Sequence, residues 1–284
     1  SLDASELRKL ARKLERVDAQ TLTHHVSVTG GKELSALGES INAMLERIDR
    51  RYQAQVRFTS DASHELRTPI SVIQGYADLL DRWGKDDPQI RQEAIDAIRQ
   101  EAAAMGALVE QLLFLVRGDN ETQKVTMAET DLTALVTAVA RETDMVDTTH
   151  QVTGEVQTGV TGIADAAMVK ECLRVLCDNA LKYTPEGGSV DISLKAEDGW
   201  AKIAVTDTGM GIPEEDLAHI FDRFFRSEQS RSRSTGGTGL GLAIAAWIAA
   251  RHAGRIDVTS RVGLGSRFTL TFPLTPPEPE DGEE

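Results

Sequence analysis

Between residues 64 and 69 the chain reads His64-Glu65-Leu66-Arg67-Thr68-Pro69, inside a stretch of helical periodicity. At about 100° per residue, His64 and Thr68 share one helix face and Glu65 is the adjacent side chain. A carboxylate beside an imidazole can take the proton from one ring nitrogen while the other attacks an electrophile. Thr68, one turn on, can orient a water toward anything His64 carries. Pro69 removes a backbone hydrogen bond and is expected to bend the helix. The zinc motif His-Glu-x-x-His is excluded, because Thr68 holds the place of its second histidine.

A second group of residues lies in the C-terminal half. Asp207-Thr208-Gly209-Met210-Gly211-Ile212 follows a strand-like run, and Gly209 and Gly211 free the backbone for close approach of a ligand to the Asp207 acceptor. Gly236-Gly237-Thr238-Gly239-Leu240-Gly241-Leu242 leads into a helix at 243–252, whose first N–H groups would face an anion. Between them, residues 227–235 are polar without apolar anchors and suit a mobile lid. Arg231 and Arg233 in that lid read as solvated charge.

These residues need scaffolds, and the periodicity supplies them. Leu7, Leu10, Leu14 and Val17 form one helical stripe, and Leu34, Leu37, Ile41, Met44, Leu45 and Ile48 repeat it, with Thr29-Gly30-Gly31 marking a connector between. Two such helices cannot enclose a core alone, so they imply a second copy. A third helix, residues 50–80, carries His64. Turn formers at 83–88 reverse the chain, and residues 88–116 return with Ile90, Ala94, Ile95, Ile98, Ala102, Met105, Leu108, Val109, Leu112 and Leu115 expected inward. The polar run 117–124 marks a domain boundary.

Beyond it strands and helices mix. Asp131 is an expected N-cap for a helix through 145, and 165–183 reads as a helix ending before Thr184-Pro185. Residues 190–195 and 202–206 flank the hairpin signal Asp198-Gly199, and 255–259 with 266–272 form a second pair. The expected sheet is antiparallel or mixed, lying under helices.

Composition narrows the function. The 284 residues suit two or three domains, and 31 Lys+Arg against 45 Asp+Glu give a net charge of −14. That charge lacks the cationic surface that binds nucleic acid. The longest uncharged run near the C-terminus, 240–250, falls far short of the ~20 residues a spanning helix needs. Cys172 and Cys177, five apart on a helix, are too distant for a disulfide and read as buried free thiols. The chain begins at Ser1 and is expected to be part of something longer, with any membrane segment ahead of it. Residues 275–284, Pro- and acid-rich, are expected to be disordered.

The run at 64–69 resembles the H-box of sensor histidine kinases, in the variant with Pro after Thr. Asp178-Asn179-Ala180-Leu181-Lys182-Tyr183-Thr184 resembles the N-box, 207–212 the first glycine box, Phe221-Asp222-Arg223-Phe224-Phe225-Arg226 the F-box, and 236–242 the second glycine box. Five motifs in family order, spanning about 50–272, make the resemblance specific. Residues 1–50 resemble a HAMP module, with Glu33 and Asn42-Ala43-Met44 matching and the usual Pro near Glu6 absent.

The resemblance implies a multidomain fold: HAMP helices (1–50), a helical hairpin that dimerises into a four-helix bundle (51–117), an α/β sandwich ATP-binding domain of the GHKL type (118–274) and the tail (275–284). It implies ATP and Mg²⁺, with His64 as phosphoacceptor, Glu65 as proton acceptor and Thr68 supporting dephosphorylation. Asn179 would ligate Mg²⁺, Lys182 meet phosphate, Tyr183 pack near the nucleotide and Asp207 accept from the adenine amine. Gly237, Thr238, Gly239, Leu240 and Gly241 would cradle the phosphates, and Arg226 stabilise their charge. The implied partners are a second copy and the receiver domain of a response regulator, in the cytoplasmic portion of a membrane sensor. One departure stands out: where the family places an Asn four residues before Asn179, this chain has Val175. Two rivals are a GHKL-type ATPase, against which Val175 also speaks because a water-activating Glu would stand there, and a non-catalytic scaffold, for which complete glycine boxes serve no purpose.

Overall fold

The computed structural model describes residues 32–227 and 237–277, together with 8, 11 and 12. The expected first helix stripe and connector, most of the lid, Gly236 and most of the tail lie outside the described residues. The chain divides into two compact units, Ser1–Ile95 and Asp96–Glu284.

In the first unit, one helix, α1, runs Lys32–Trp83. The expected break near residue 50 does not occur: Ile48-Asp49-Arg50-Arg51-Tyr52 holds neither Gly nor Pro, so nothing stops propagation. Pro69 lies inside the same helix. Gly84 ends it, its N–H donating to the Leu80 carbonyl at 3.0 Å. Asp87 then caps α2 (Pro88–Asp119), accepting from the N–H of Gln89 at 2.8 Å and of Ile90 at 3.2 Å. Pro88 at the first helical position costs nothing, since its missing N–H would be an orphan there. Met44, Ile48, Tyr52 and Val56, each one turn from the next on α1, are all exposed.

The second unit layers helices on a sheet. After α2 come β1 (Ala128–Asp131), α3 (Leu132–Val146), β2 (Gln151–Thr153), β3 (Thr161–Ala164) and α4 (Ala166–Tyr183). Then follow β4 (Ser189–Glu197), β5 (Trp200–Asp207), the short α5 (Glu214–Leu217), α6 (Gly241–Arg251), β6 (Arg255–Arg261) and β7 (Gly265–Pro273). The five-stranded sheet has the order β2-β4-β5-β7-β6, with β2 parallel to β4 and the other pairs antiparallel, while β1 and β3 pair separately. The sheet is therefore mixed.

Strand period puts Val190, Ile192 and Leu194 of β4, Ala201, Ile203 and Val205 of β5, and Phe268, Leu270 and Phe272 of β7 into the core. Leu173 and Leu176 of α4 and Ile248 of α6 are buried with them. Asp131 and Asp165 cap α3 and α4, accepting from Ala134 N–H at 2.8 Å and Met168 N–H at 3.1 Å. Asp165 also accepts from Thr126 N–H, and its own N–H donates to His252 Nε2 at the end of α6. One buried carboxylate residue thus ties the incoming chain to α4 and α6.

Candidate active site

A cleft open to solvent lies in the second unit. Asn179 and Tyr183 from the last turns of α4, Asp207 at the end of β5, Gly211 in the following loop and Arg226 line it. Met210, Ile212, Ile220, Phe225, Leu242 and Phe268 give it apolar walls. An apolar-walled cleft with one carboxylate in it can hold a flat heterocycle by apolar packing and direct it by hydrogen bonding.

Asp207 is held as an acceptor. The N–H groups of Gly209 and Ser266 donate to its Oδ1 at 2.8 and 3.2 Å, which leaves Oδ2 for a ligand. Burial raises the Asp207 carboxyl above the usual carboxylate range, and the two N–H groups pull it back down in part. Gly211 has φ of +73°, and a Cβ there would overlap the Arg261 carbonyl oxygen, so only glycine fits the turn. The loop is tied to α4, because Met210 N–H donates to the Tyr183 carbonyl at 3.1 Å.

The remaining expected residues fall beside the cleft rather than in its lining. Lys182 Nζ lies 5.1 Å from the Tyr183 ring centre, within cation–π range, and reaches the position that a Cβ on Gly237 would take. Gly239 adopts φ of +70°, and its carbonyl accepts from Phe224 N–H at 2.9 Å, joining the F-box to the second glycine box. Gly209 fits under the Tyr183 carbonyl, which a Cβ there would meet at 2.5 Å. Leu240 is fully buried, and a Cβ on Gly241 would meet Val175 Cγ1 at 3.0 Å, so Val175 packs under the start of α6. Thr238 Oγ1 donates to Gln111 Oε1 of α2 at 2.7 Å. Nearby, Arg223 bridges Asp119 through both oxygens, and Phe114 meets Trp247 edge-on at 5.1 Å. The end of α2 thus holds the glycine and F boxes together.

His64, Glu65 and Thr68 belong to α1 in the first unit. His64 and Thr68 are exposed and Glu65 half-buried, so an attacking nitrogen and a neighbouring carboxylate are both available to a reactant. Among the described residues no group of three or more His, Cys, Asp or Glu could hold a metal ion. Burial pushes the Cys172 and Cys177 thiols up to about 12 and about 11, so neither is a nucleophile at neutral pH.

Sequence reasoning missed Ser266, which orients Asp207 through its backbone N–H. It also missed the apolar lining from Ile220, Leu242 and Phe268. A backbone donor leaves no mark on residue type, and an apolar wall looks like any core position.

Three families match in order: HAMP domain at 5–50, His Kinase A (phospho-acceptor) domain at 54–121, and Histidine kinase-, DNA gyrase B-, and HSP90-like ATPase at 164–276. The sensor histidine kinase YkoH of Bacillus subtilis is 34% identical over 268 residues, covering 94% of this chain and 58% of that protein. Histidine kinase AdeS of Acinetobacter baumannii is 25% identical with a TM-score of 0.58, covering 74% of this chain and 98% of that one. Histidine kinase ThkA, solved in complex with response regulator protein TrrA, shares the fold at 24% identity and a TM-score of 0.66, covering 89% of this chain and 70% of that one. The chain spans somewhat more than half the length of the curated relatives it matches. No helix among the described residues is long and apolar enough to cross a membrane.

Proposed function

Because the chain belongs to the sensor histidine kinases of two-component systems, with HAMP, phosphoacceptor and ATPase modules in order, we propose that it phosphorylates His64 from ATP and passes the phosphoryl group to a response regulator. The observation that carries this reading is Asp207, with one oxygen satisfied by two backbone N–H groups, set in an apolar cleft beside Asn179.

In the reaction, Oδ2 of Asp207 accepts from the exocyclic amine of adenine, and Tyr183 and the apolar walls pack around the base. Asn179 offers a single amide oxygen, which fits Mg²⁺, an ion that keeps several waters and takes its other ligands from substrate phosphates. When bound, Mg²⁺ neutralises phosphate charge. Lys182, Arg226 and the N–H groups of 237–241 add to that neutralisation. Nε2 of His64 attacks the γ-phosphorus, the bond to the β,γ-bridging oxygen breaks, and ADP leaves. Glu65 takes the Nδ1 proton. An aspartate of a receiver domain then takes the phosphoryl group, and Thr68 orients the water that later removes it from the regulator.

The exposed apolar stripe Met44, Ile48, Tyr52, Val56 supports a homodimer, since a second copy would cover it in a four-helix bundle. Residues 1–50 serve as the signal-transmitting module, 51–117 as the dimerising hairpin, 118–274 as the ATP domain and 275–284 as a tail. The whole is the cytoplasmic part of a membrane sensor. The test compares ATP labelled at the γ and α phosphates: only the γ label should become protein-bound, and chelating the metal should abolish it. Incorporation of the α label without the γ label would mean nucleotidylation, with pyrophosphate leaving, and overturn the reading.

Val175 adds a second expectation. Half-buried against Gly241, it leaves Asn179 without a polar neighbour one turn earlier. Val175→Asn should raise the autophosphorylation rate at saturating Mg-ATP more than it tightens ATP binding. A lower melting temperature with no gain in rate would assign Val175 to packing alone.

A further inference from the structure

His150 lies outside every recognised motif, yet it sits at the C-terminus of α4. Its side chain is only 6% exposed, and both ring nitrogens face acceptors. Nδ1 is 2.9 Å from Asp147 Oδ2, and Nε2 is 2.9 Å from the Thr184 carbonyl oxygen. A neutral ring carries one proton, so either tautomer would set a nitrogen lone pair against an oxygen. Only the imidazolium donates to both. A cation there also meets the negative end of the α4 dipole.

The surroundings hold this arrangement. Asp147 Oδ1 accepts from the N–H groups of Thr149 and His150 and from Thr149 Oγ1, which also lies 3.0 Å from Nδ1. Gly187 N–H donates to the Thr149 carbonyl and Gln151 N–H to that of Gly188, so the loop at 147–151 is laced to the turn after α4. The bond to the Thr184 carbonyl raises the affinity of the ring for its proton; burial opposes it, and Asp147 and the charge of Glu186 reinforce it. The Asp147 carboxyl is held down at about 2: burial acts against ionisation, and the Thr149 and His150 donors outweigh it.

Thr184 follows Tyr183, whose side chain lines the cleft and whose carbonyl holds Met210 of the glycine loop. We propose that His150 is a positioning residue for the nucleotide cleft: its imidazolium, clamped between Asp147 and the Thr184 carbonyl, fixes the end of the helix that carries Asn179, Lys182 and Tyr183, so that nucleotide affinity falls when the ring loses its proton. This rests on the reading of the cleft as an ATP site.

The sign follows from the direction of the shift. A histidine whose folded pKa is raised contributes its full stabilisation below the ordinary imidazole value of ~6.5 and loses it as pH rises through the raised value. Nucleotide binding to the clamped form should weaken over the same interval.

The experiment titrates the full chain with a non-hydrolysable ATP analogue and Mg²⁺ by calorimetry from about pH 6 to 9, beside His150→Gln, which keeps one donor for Thr184 and cannot titrate. The native chain should lose at least about threefold in affinity relative to His150→Gln across that range. Asp147→Asn should move the midpoint of the loss to lower pH. Independently, ¹⁵N spectra of the ring should show both nitrogens protonated at about pH 6 and the proton lost only above the ordinary imidazole range. Superimposable pH profiles for the native chain and His150→Gln, or a ring already neutral at about pH 6, would overturn the proposal. Absence of binding at every pH, with the ring still titrating, would instead overturn the ATP reading and the proposal with it.

Discussion

His64→Gln protein should bind ATP as tightly as the native chain and carry no acid-labile phosphate. The loss should be complete rather than graded, because the substitution removes the attacking nitrogen itself and no other group in the scheme can form the bond. Its stability should stay within about 0.5 kcal/mol of native, since His64 is exposed on a continuous helix and Gln is a good helix former. Calorimetry with ATP and a melting curve establish that cleft and fold are intact, and label incorporation reads the chemistry. Persistent acid-labile label in the variant would place the phosphoacceptor elsewhere.

Asp207→Asn should weaken ATP binding by about 1–3 kcal/mol, or roughly 5- to 150-fold, the cost of losing a charge-assisted bond in a largely buried site. The geometry makes the substitution clean. An Asn carbonyl oxygen can still accept from Gly209 and Ser266, so the loop keeps its hydrogen bonds. What changes is the second atom: an amide NH₂ in place of Oδ2 would oppose the adenine amine donor against donor. Guanine presents a carbonyl at the corresponding edge, so discrimination between ATP and GTP should shrink in the same variant. Unchanged ATP affinity would remove Asp207 from base recognition.

Much of the scaffold for these residues is legible because its signals are local. Asp131 and Asp165 cap the helices they precede, and Asp198-Gly199 adopts φ of +52° and +80° in the turn between β4 and β5. The join of two expected helices into α1 was hidden, because amphipathic periodicity marks faces and not ends, and no breaker stands near residue 50. Strands β1, β2 and β3, of three or four residues each, carry too few alternations to show a period and exist only through partners far along the chain.

The cleft shows the same division. Asn179, Tyr183, Asp207, Gly211 and Arg226, which line the cleft, are legible because each stands in a motif recognised by residue type. Ser266 acts through its backbone, and the bond from Thr238 to Gln111 spans 127 positions with no local signal at either end. His150 is silent for another reason: one histidine in a polar loop has no meaning until folding brings the Thr184 carbonyl to its second nitrogen.

The central claim is that a phosphoryl group moves from ATP to an imidazole nitrogen of this chain. Its most direct test is the chemical stability of the label formed when the native chain is incubated with Mg²⁺ and γ-labelled ATP. A phosphoramidate on His64 should survive strong alkali and be lost in acid. Label that survives acid and is lost in alkali would indicate a phosphate ester on a hydroxyl side chain and contradict the account, as would release of free phosphate with no label on the protein at any time.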